Sequence, residues 1–515
     1  MKNKSLLIYS ILISAAFLIF SCRSYNLTRE AEKVSEAVKP SPGSEFIKLH
    51  RSDGGVYVLQ KWIVDEQNKL ITGTGTLYDH NREISEQGYL KVPFNELILI
   101  ETNVLEPSLM TETLGMMTIV SGALTVYCIT NPKACFGSCP TFYAWDGNKM
   151  SLQAEGFSSS IARVLEEKDI DALHSLKPST RNLEIKVTNE ALETHSIRYV
   201  NLLAAKKNRD GKIFHTSEDD FYEITRLTPP TDCSSESSDC LEKLTSFNDS
   251  EYFSETDSSD LAVKETLELT FDSAPDGKLG LVLGFRQTLL TTYLIYQSLA
   301  YMGSKYGDWL AALESDKTNI KDFTSKPYSL LGDLEIYALD QNQNWKKCGS
   351  IDENGPIARN LELVSLIDSY SYPLKIQIRM TRGMWRIDYA AIGKIVDKVE
   401  PIRLFPTEVA KENMCDEKAK MLLIDTSKFL VTYPGDSYSL FYQLPEDYMS
   451  YDYFIETKGY YYEWMRDAWL KEESQENLFS FLFDPRTHLK KIAPEYKKLE
   501  PTMDKIFWES KYENK

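Results

Sequence analysis

The feature that most constrains the fold of this chain is the recurrence of short segments in which apolar and polar residues alternate, for example at 183–188 and 374–380. Successive side chains of a strand point to opposite faces of a sheet, so this period of two is typical of half-buried β-strands. Turn residues such as the Asp-Gly-Gly at 53–55 separate the segments. We therefore predict a mainly β protein with α-helical insertions (α+β). It would comprise a small N-terminal antiparallel meander or barrel, larger sandwich-like β-rich modules and a helical C-terminal tail.

The length of 515 residues is too great for one hydrophobic core, and it indicates about three or four domains. Changes in composition and periodicity suggest where the boundaries lie. The predicted segments are a signal peptide (1–22), a tether (23–45), a small β module (46–110), an apolar and cysteine-rich segment (111–140), a β-rich domain (141–270) with an acidic loop (216–260), a strand and long helix (271–325), a sandwich-like domain (326–457) and a helical tail (458–515).

Two internal segments favour helix over strand. Residues 288–314 place apolar side chains on one broad face, a spacing that predicts a helix packed into the core. A second, short helix is expected near 160–174. The remaining helical pieces belong to the tail, which we expect to pack back onto the body of the protein.

The N-terminus has the pattern of a secretory signal. Two lysines precede the apolar run Leu6–Phe20, and Ser21-Cys22 follow it. The run is short for a membrane span, which needs about 20 residues. Residues 19–22 look like a bacterial lipobox, in which the cysteine thiol receives a diacylglycerol and becomes the new N-terminus. The alternative is a signal-anchor helix with an incidental cysteine, and we predict lipidation of Cys22.

An acylated Cys22 would anchor the protein to a lipid bilayer, because two or three acyl chains on one residue anchor stably where one is marginal. Arg23, rather than aspartate, follows the cysteine. By analogy with sorting in enteric bacteria, this favours the outer over the inner membrane. The predicted location is therefore the cell envelope, lipid-anchored, with the bilayer as a partner.

Cysteines outside the cytoplasm are expected to pair. With Cys22 acylated, seven remain, so at least one stays free or pairs with another chain. Cys233 and Cys240 flank a polar loop, and we predict that they pair with each other. Cys348 and Cys415 are candidates to join two strands of the last β-region.

The segment 113–132 carries no charged residue and leads into a cluster formed by Cys128, Cys135 and Cys139. The segment is either a buried helix or hairpin, which we favour, or an element lying against the membrane that Cys22 anchors. The three cysteines could bind metal, but zinc prefers four ligands, and no second cysteine pair or nearby histidine supplies the rest. A structural bridge is the favoured interpretation, and we predict neither metal nor cofactor.

The block 135–143 reads Cys-Phe-Gly-Ser-Cys-Pro-Thr-Phe-Tyr and is followed by Asp146-Gly147, a strong hairpin signal. This block resembles an uncharacterised family of bacterial lipoproteins, and the resemblance covers most of the mature chain. It implies a location in the envelope and no particular activity. Further blocks similar to that family begin at Arg286, Trp385, Tyr433 and Gly459.

The net charge of −18 is concentrated in one segment. Residues 216–260 contain 13 acidic and two basic residues, a net of −11, and we predict a long solvated loop there. A calcium site is the functional alternative, although no Asp-x-Asp-x-Asp-Gly loop is present. We predict no nucleic-acid partner, because the chain lacks a basic cluster interleaved with aromatic residues.

Nine tyrosines lie close together at the end of the last β-region. Tyrosine pairs well across strands, so a partly exposed sheet face is one interpretation. The functional interpretation is a face that binds an envelope protein or glycan. The tyrosines are Tyr433, Tyr438, Tyr442, Tyr448, Tyr451, Tyr453, Tyr460, Tyr461 and Tyr462.

One motif resembles a hydrolase nucleophile, the Gly-Asp-Ser at 435–437. Such a serine needs a histidine to accept its proton and an aspartate to orient the histidine. Asp484 and His488 are spaced one residue further apart than the Asp-x-x-His of those enzymes. We interpret 434–436 as a turn and predict no catalytic site. Ser437, Asp484 and His488 are the candidates that a hydrolase would use.

These observations favour a membrane-anchored bacterial envelope lipoprotein that acts as a binding or scaffolding module and is not an enzyme. The alternative is an envelope-side hydrolase of glycan or ester with an unrecognised active site. A carboxylate-only site of the glycosidase type has no sequence motif that would reveal it.

Overall fold

The computed structural model describes residues 25–33, 46–51, 56–78, 84–107, 140–158, 160, 166–190, 193–235, 240–245, 251–305, 330–351, 355–368, 370, 372–433, 435–463 and 472–503. The described residues form a mainly β protein with helical insertions, which confirms the predicted fold class. They belong to two compact units. One comprises the described residues up to Pro107 together with Ser304 and Lys305, and the other begins at Pro140. The predictions about 1–22 and 113–132, with Cys22, Cys128, Cys135 and Cys139, lie outside these residues.

The first unit is a six-stranded antiparallel sheet, sheet A, with strand order β1-β6-β2-β3-β4-β5. Period-two alternation directs one set of side chains, including Ile47, Leu49, Leu59, Ile71 and Val92, into a common core. Its strands are β1 Tyr25–Lys33, β2 Phe46–Arg51, β3 Val56–Asp65, β4 Leu70–Tyr78, β5 Ile84–Pro93 and β6 Leu97–Pro107.

Strand β1 lies inside the segment 23–45 that we predicted to be a tether. Its backbone pairs with β6 in antiparallel register, from Tyr25 opposite Pro107 to Lys33 opposite Leu99. The tether prediction is therefore wrong over 25–33. This segment has too few apolar residues to be recognised as a strand from its sequence. Its place in the sheet comes from backbone pairing with β6.

The second unit contains the remaining strands and the helices. Its strands are β7 Thr141–Trp145, β8 Met150–Glu155, β9 Glu167–Ala172, β10 Asn182–Thr188, β11 Glu193–Lys206, β12 Lys212–His215, β13 Phe221–Thr228, β14 Asp232–Ser234, β15 Tyr252–Phe253, β16 Lys264–Phe271, β17 Leu279–Gln287, β18 Leu334–Leu339, β19 Trp345–Ile351, β20 Asn360–Ser365, β21 Leu374–Thr381, β22 Trp385–Val399, β23 Ile402–Leu404, β24 Glu408–Lys411, β25 Met414–Cys415, β26 Leu430–Thr432, β27 Ser437–Gln443 and β28 Tyr451–Glu463.

The helices of the described residues are fewer than the strands. They are α1 Leu241–Leu244, α2 Leu290–Met302, α3 Glu417–Ile424, α4 Gln475–Phe483 and α5 Pro485–Leu499, with 3-10 turns at Phe94–Glu96, Gly303–Lys305, Tyr448–Ser450 and Glu500–Thr502. Helix α2 falls within the predicted 288–314 and is buried around most of its circumference, as expected of a core helix.

The strands of the second unit form three sheets and a small barrel. Sheet B has the order β25-β24-β27-β10-β7-β8, sheet C has β23-β11-β28-β9 with β26 on β11, and sheet E has β14-β16-β21-β18-β19. Barrel D has the order β13-β12-β20-β17-β22 and closes because β13 also pairs with β22; β15 extends it. Phe214, Ile224, Val282, Leu363 and Ile395 form a core cluster on its strands.

Strands from distant parts of the chain share these sheets. In sheet B, β10 of the predicted domain 141–270 pairs with β27 of the predicted domain 326–457. In sheet C, β11 pairs with β28 along almost its entire length. The second unit is therefore one body across the predicted boundary, and 458–463 completes β28 instead of beginning the helical tail. Periodicity identifies strands but does not tell which strands pair.

Two local predictions differ from the structure. Where a helix was expected near 160–174, residues Glu167–Ala172 form β9, because their backbone pairs with β28. Where a solvated loop was expected over 216–260, Phe221–Thr228 forms β13 of barrel D, with Phe221 and Ile224 buried. The high acidic content of that segment led to the loop prediction, although Phe221 and Ile224 are apolar positions of a strand.

Sheet C and barrel D pack against each other. Ile213 of β12 shares one hydrophobic cluster with Phe454 of β28, Leu203 of β11 and Ile170 of β9. Barrel D therefore lies against one end of sheet C, and a cleft opens at that junction.

Candidate ligand-binding cleft

The tyrosine-rich region is mostly interior. Six of its nine tyrosines are buried, so it does not form the partly exposed face that we considered. Tyr442 donates its hydroxyl hydrogen to the carbonyl oxygen of Val200 at 2.9 Å, and Tyr461 donates to that of Ser158 at 2.8 Å. A buried phenol needs such a partner, and these two rings are part of the core.

Three tyrosines of the region line a cleft of about 640 Å³, which we call the tyrosine cleft. They are Tyr448, Tyr451 and Tyr453, at the 3-10 turn and the start of β28. A volume of this size is in the range of pockets that hold small-molecule ligands, about 300–1,000 Å³.

The tyrosine cleft is formed where sheet C meets barrel D. The turn 173–178 after β9 forms one side, and the start of β28 forms another. Barrel D contributes Phe214, Leu361 and Tyr389, which come from three different strands. The lining is thus predominantly apolar and is carried by sheet strands that are part of a packed core.

Backbone hydrogen bonds fix the loops around the tyrosine cleft. The N–H of Leu173 donates to the carbonyl oxygen of Tyr453 at 2.9 Å, and the N–H of Lys207 donates to that of Ser450 at 3.0 Å. The N–H of Lys177 donates to the carbonyl oxygen of Trp145, also at 2.9 Å. These bonds tie both sides of the cleft to sheets B and C, so the cleft is largely preformed.

The hydroxyl groups of two lining tyrosines are already engaged. Tyr453 donates to the carbonyl oxygen of Tyr448 at 2.9 Å, and Tyr448 donates to that of Ser179 at 3.3 Å. Burial raises the pKa of Tyr453, so its phenol stays protonated at neutral pH. The rings therefore offer apolar area to a ligand while their hydroxyl hydrogens hold the surrounding backbone.

Among the described residues, three lysines and a single carboxylate line the cleft. Lys207 forms an ion pair with Asp452, whose second oxygen accepts the N–H of Ile213 at 2.8 Å. Lys177 and Lys212 are exposed, and no carboxylate in the described part of the chain pairs with either. The cleft is therefore locally positive in a protein whose formal charge is −18.

His174 also lines the cleft. Burial, assisted by the nearby positive charge of Arg359, lowers its pKa to about 4. The imidazole is therefore neutral at pH 7 and adds a polar, uncharged group to the lining. An apolar cavity with a few polar groups and lysines at its opening can bind and orient a ligand.

The predicted hydrolase motif is a turn, as we interpreted it. The N–H of Asp436 donates to the carbonyl oxygen of Tyr433 at 2.9 Å, and a carboxylate oxygen of Asp436 accepts the N–H of Tyr433. Gly435 has a φ of 90°, a conformation that glycine adopts without strain. Ser437 then begins β27 in sheet B, opposite Thr188.

The other two candidates of that motif begin a helix. The side chain of Asp484 accepts the N–H of Thr487 and so caps α5, with Pro485 as its first residue. His488 is fully buried, with its ring edge-on to Tyr301 at 5.6 Å and to Phe481 at 5.4 Å. The spacing of Asp484 and His488 is thus explained by helix capping and core packing.

The cysteine predictions have different outcomes. Cys233 and Cys240 form a disulfide, as predicted. Cys348 and Cys415 are free thiols, so the proposed bridge between them is wrong. Cys348 lies on β19 in sheet E and Cys415 on β25 in sheet B, and sequence spacing could not show that these strands belong to different sheets.

No group of three or more His, Cys, Asp or Glu side chains within the described ranges is arranged to hold a metal ion. Nor do those ranges contain a helix that combines the length and apolar character needed to cross a bilayer.

No protein-family model and no curated protein matches the chain. Among solved structures, the chain is similar to a structure of the infectious bursal disease virus Gx strain, with a TM-score of 0.15 and 7% identity over 92% of this chain and 91% of that one. It is also similar to T=1 particles derived from infectious bursal virus, with a TM-score of 0.16 and 9% identity over 94% and 89% of the two chains. TM-scores this low carry no argument about fold or function.

Most of the cleft is not evident from the sequence. The tyrosine-rich region, which supplies one side, stands out there, whereas His174, Lys177, Lys207 and Lys212 do not. These four residues come from three separate segments, which the pairing of β9, β11 and β28 brings together. Only the local density of tyrosine pointed to the site.

Proposed function

We propose that this chain is a lipid-anchored protein of a bacterial envelope that binds a ligand in the tyrosine cleft. The observation that carries the binding role is the cleft itself, about 640 Å³ in volume, bounded by Tyr448, Tyr451 and Tyr453 and supported by two packed β structures. A preformed apolar cavity with few polar groups favours binding, because little ordering accompanies entry of the ligand.

The anchor rests on the sequence around Cys22. Residues 19–22 have the lipobox pattern, and Arg23 in the next position favours the outer membrane. Attachment through Cys22 would hold the protein at the bilayer, where it can meet components of the envelope. The ligand in this proposal is such a component, of the glycan, protein or small-molecule kind, and no catalytic step is invoked.

Replacing the lipobox cysteine tests the anchor. In the producing bacterium, Cys22→Ala should abolish incorporation of labelled palmitate and shift the protein out of the membrane fraction or leave an uncleaved precursor. Cys415→Ala, at an exposed free thiol, is the matched control and should behave as the wild type. A Cys22→Ala protein that is still processed and membrane-bound would refute the lipid anchor and point to 113–132 instead.

Filling the cleft tests the binding role. Leu176 lines the cleft from the turn 173–178, and Leu176→Trp would occupy part of its volume. Full-length protein extracted from membranes should retain small molecules in the wild type and lose them in this variant, as measured by mass spectrometry. Met421→Trp, at an exposed position on α3, is the control. Equal retention by Leu176→Trp and wild type would refute binding in the cleft.

A further inference from the structure

The lysines of the tyrosine cleft distinguish it from a general apolar cavity. Lys177 and Lys212 reach it from the turn after β9 and from the start of β12. Both are exposed and lack a carboxylate partner among the described residues, whereas Lys207 is paired with Asp452. Two uncompensated positive charges therefore lie beside an apolar lining, in a chain that carries 76 acidic residues against 58 lysines and arginines.

The depth of the cleft has the opposite character. Phe214 and Leu361 come from barrel D, and Ile213 and Phe454 belong to the core cluster between the barrel and sheet C. His174 is neutral at pH 7, because burial lowers its pKa to about 4. The neutral ring cannot compensate the charge of an anionic ligand group in the interior of the cleft. The interior therefore favours the apolar part of a ligand.

We infer that the tyrosine cleft takes an amphiphile whose apolar body enters the cleft and whose anionic group, a carboxylate or phosphate, is held by Lys177 and Lys212. The assignment rests on the binding role proposed above and adds the class of ligand. It follows from charge complementarity. The two lysines would repel an ammonium head group, and they would gain no ionic attraction from a neutral one.

Photo-crosslinking reads out the position as well as the fact of binding. The probes are diazirine-labelled hexadecanoate, the corresponding alcohol and the corresponding trimethylammonium compound, each added to membranes that contain the full-length protein. Labelled peptides are identified by mass spectrometry, so partition of the probes into the bilayer does not produce a false site. A long-chain phosphomonoester probe distinguishes a phosphate head group from a carboxylate.

Hexadecanoate should label peptides from 172–178, 207–214 and 448–454 about three- to tenfold more than the alcohol, as expected for two exposed charge contacts. The trimethylammonium probe should label them least. The double variant Lys177→Glu, Lys212→Glu should remove the preference for hexadecanoate. Lys186→Glu with Lys428→Glu makes the same change of charge at exposed lysines of β10 and of the loop after α3, and should preserve the preference.

The outcomes separate this inference from the proposed function. Equal labelling of the cleft by all three head groups would keep the cleft as a binding site and overturn the anionic ligand. Loss of the preference in the Lys186→Glu, Lys428→Glu control would overturn it as well, because net charge would then be the cause. Absence of cleft peptides with every probe would overturn the proposed binding role too.

Discussion

The tyrosine cleft and the group of helices α2, α4 and α5 are both rich in aromatic residues, and each contains a histidine with a lowered pKa. The helices form what we call the aromatic pack, which comprises Tyr293, Tyr301, Phe481, His488 and Tyr496 on α2, α4 and α5. In the aromatic pack the rings close on His488. In the cleft they leave a cavity beside His174.

The difference lies in what surrounds the rings. Tyr293 and Tyr496 contact each other with ring centroids 4.8 Å apart, and both are buried between helices. Tyr448 and Tyr453 instead bond backbone carbonyl groups, which holds them at the edge of an open volume. A high density of aromatic residues therefore indicates either a hydrophobic core or a binding site. The lysines beside the cleft distinguish it from a core.

Truncation in the aromatic pack should have the largest effect on stability. Tyr496 is buried, and Tyr496→Ala should lower the free energy of unfolding by about 3–5 kcal/mol, because it leaves a cavity between α2 and α5. Met449→Ala, at the exposed edge of the cleft, should change it by less than about 0.5 kcal/mol. Urea-induced unfolding measures both. Similar values for the two variants would mean that the two regions do not differ in packing.

Acid should destabilise the aromatic pack through His488. Burial lowers its pKa to about 4, with the nearby Lys491 as a smaller cause. The unfolded state, with a pKa of about 6.5, then binds more protons between these values, so stability falls as the pH falls from about 6.5 to 4. At pH 5 the loss is about 2 kcal/mol.

His488→Leu should remove this pH dependence while changing stability at pH 7 by less than about 1 kcal/mol, since neither ring nitrogen has a hydrogen-bond partner among the described residues. Unfolding measured at pH 7 and pH 5 tests this. His174→Leu should remove a comparable part of the pH dependence, because burial lowers the pKa of His174 to about 4 as well. If His488→Leu lost as much stability as the wild type at pH 5, another group would be responsible.

Local chemistry made part of this architecture predictable. The Asp146-Gly147 hairpin forms as expected: β7 and β8 pair, Gly147 has a φ of 99°, and Asp146 accepts the N–H groups of Asn148 and Lys149. The Cys233–Cys240 disulfide closes a short loop, so proximity along the chain already indicated it. Each of these features depends on residues fewer than fifteen positions apart.

The cleft was not predictable in the same way, because it depends on pairing between distant strands. Ala172 lies opposite Phe454 across β9 and β28, although 282 positions separate them. Lys177 lines the cleft from the turn that follows β9, the edge strand of sheet C. Alternation with a period of two identifies each strand but not the strand with which it pairs. The fold class could therefore be predicted from the sequence, whereas the grouping of the lysines around the cleft could not.

A matched pair of hydroxyl deletions separates core tyrosines from cleft tyrosines. Tyr453→Phe and Tyr461→Phe each remove one hydrogen bond to a backbone carbonyl oxygen. Each should cost about 1 kcal/mol in unfolding free energy. Only Tyr453→Phe should also weaken labelling of the cleft by hexadecanoate, because the lost bond holds the turn at Tyr448. Equal labelling of the two variants would show that this bond does not shape the site.

The smallest expected effect concerns the one carboxylate of the cleft. Asp452→Asn removes its negative charge and releases Lys207 from the ion pair, so the cleft should bind hexadecanoate about threefold more tightly. Glu335→Gln removes an equivalent charge from the Lys347 pair in sheet E and should leave binding unchanged. Competition against the photo-crosslinking probe measures both variants, and the gain should shrink as salt is raised, because screening weakens exposed charges. If the tighter binding were independent of salt, a change in the shape of the cleft would be its cause, and not the removed charge.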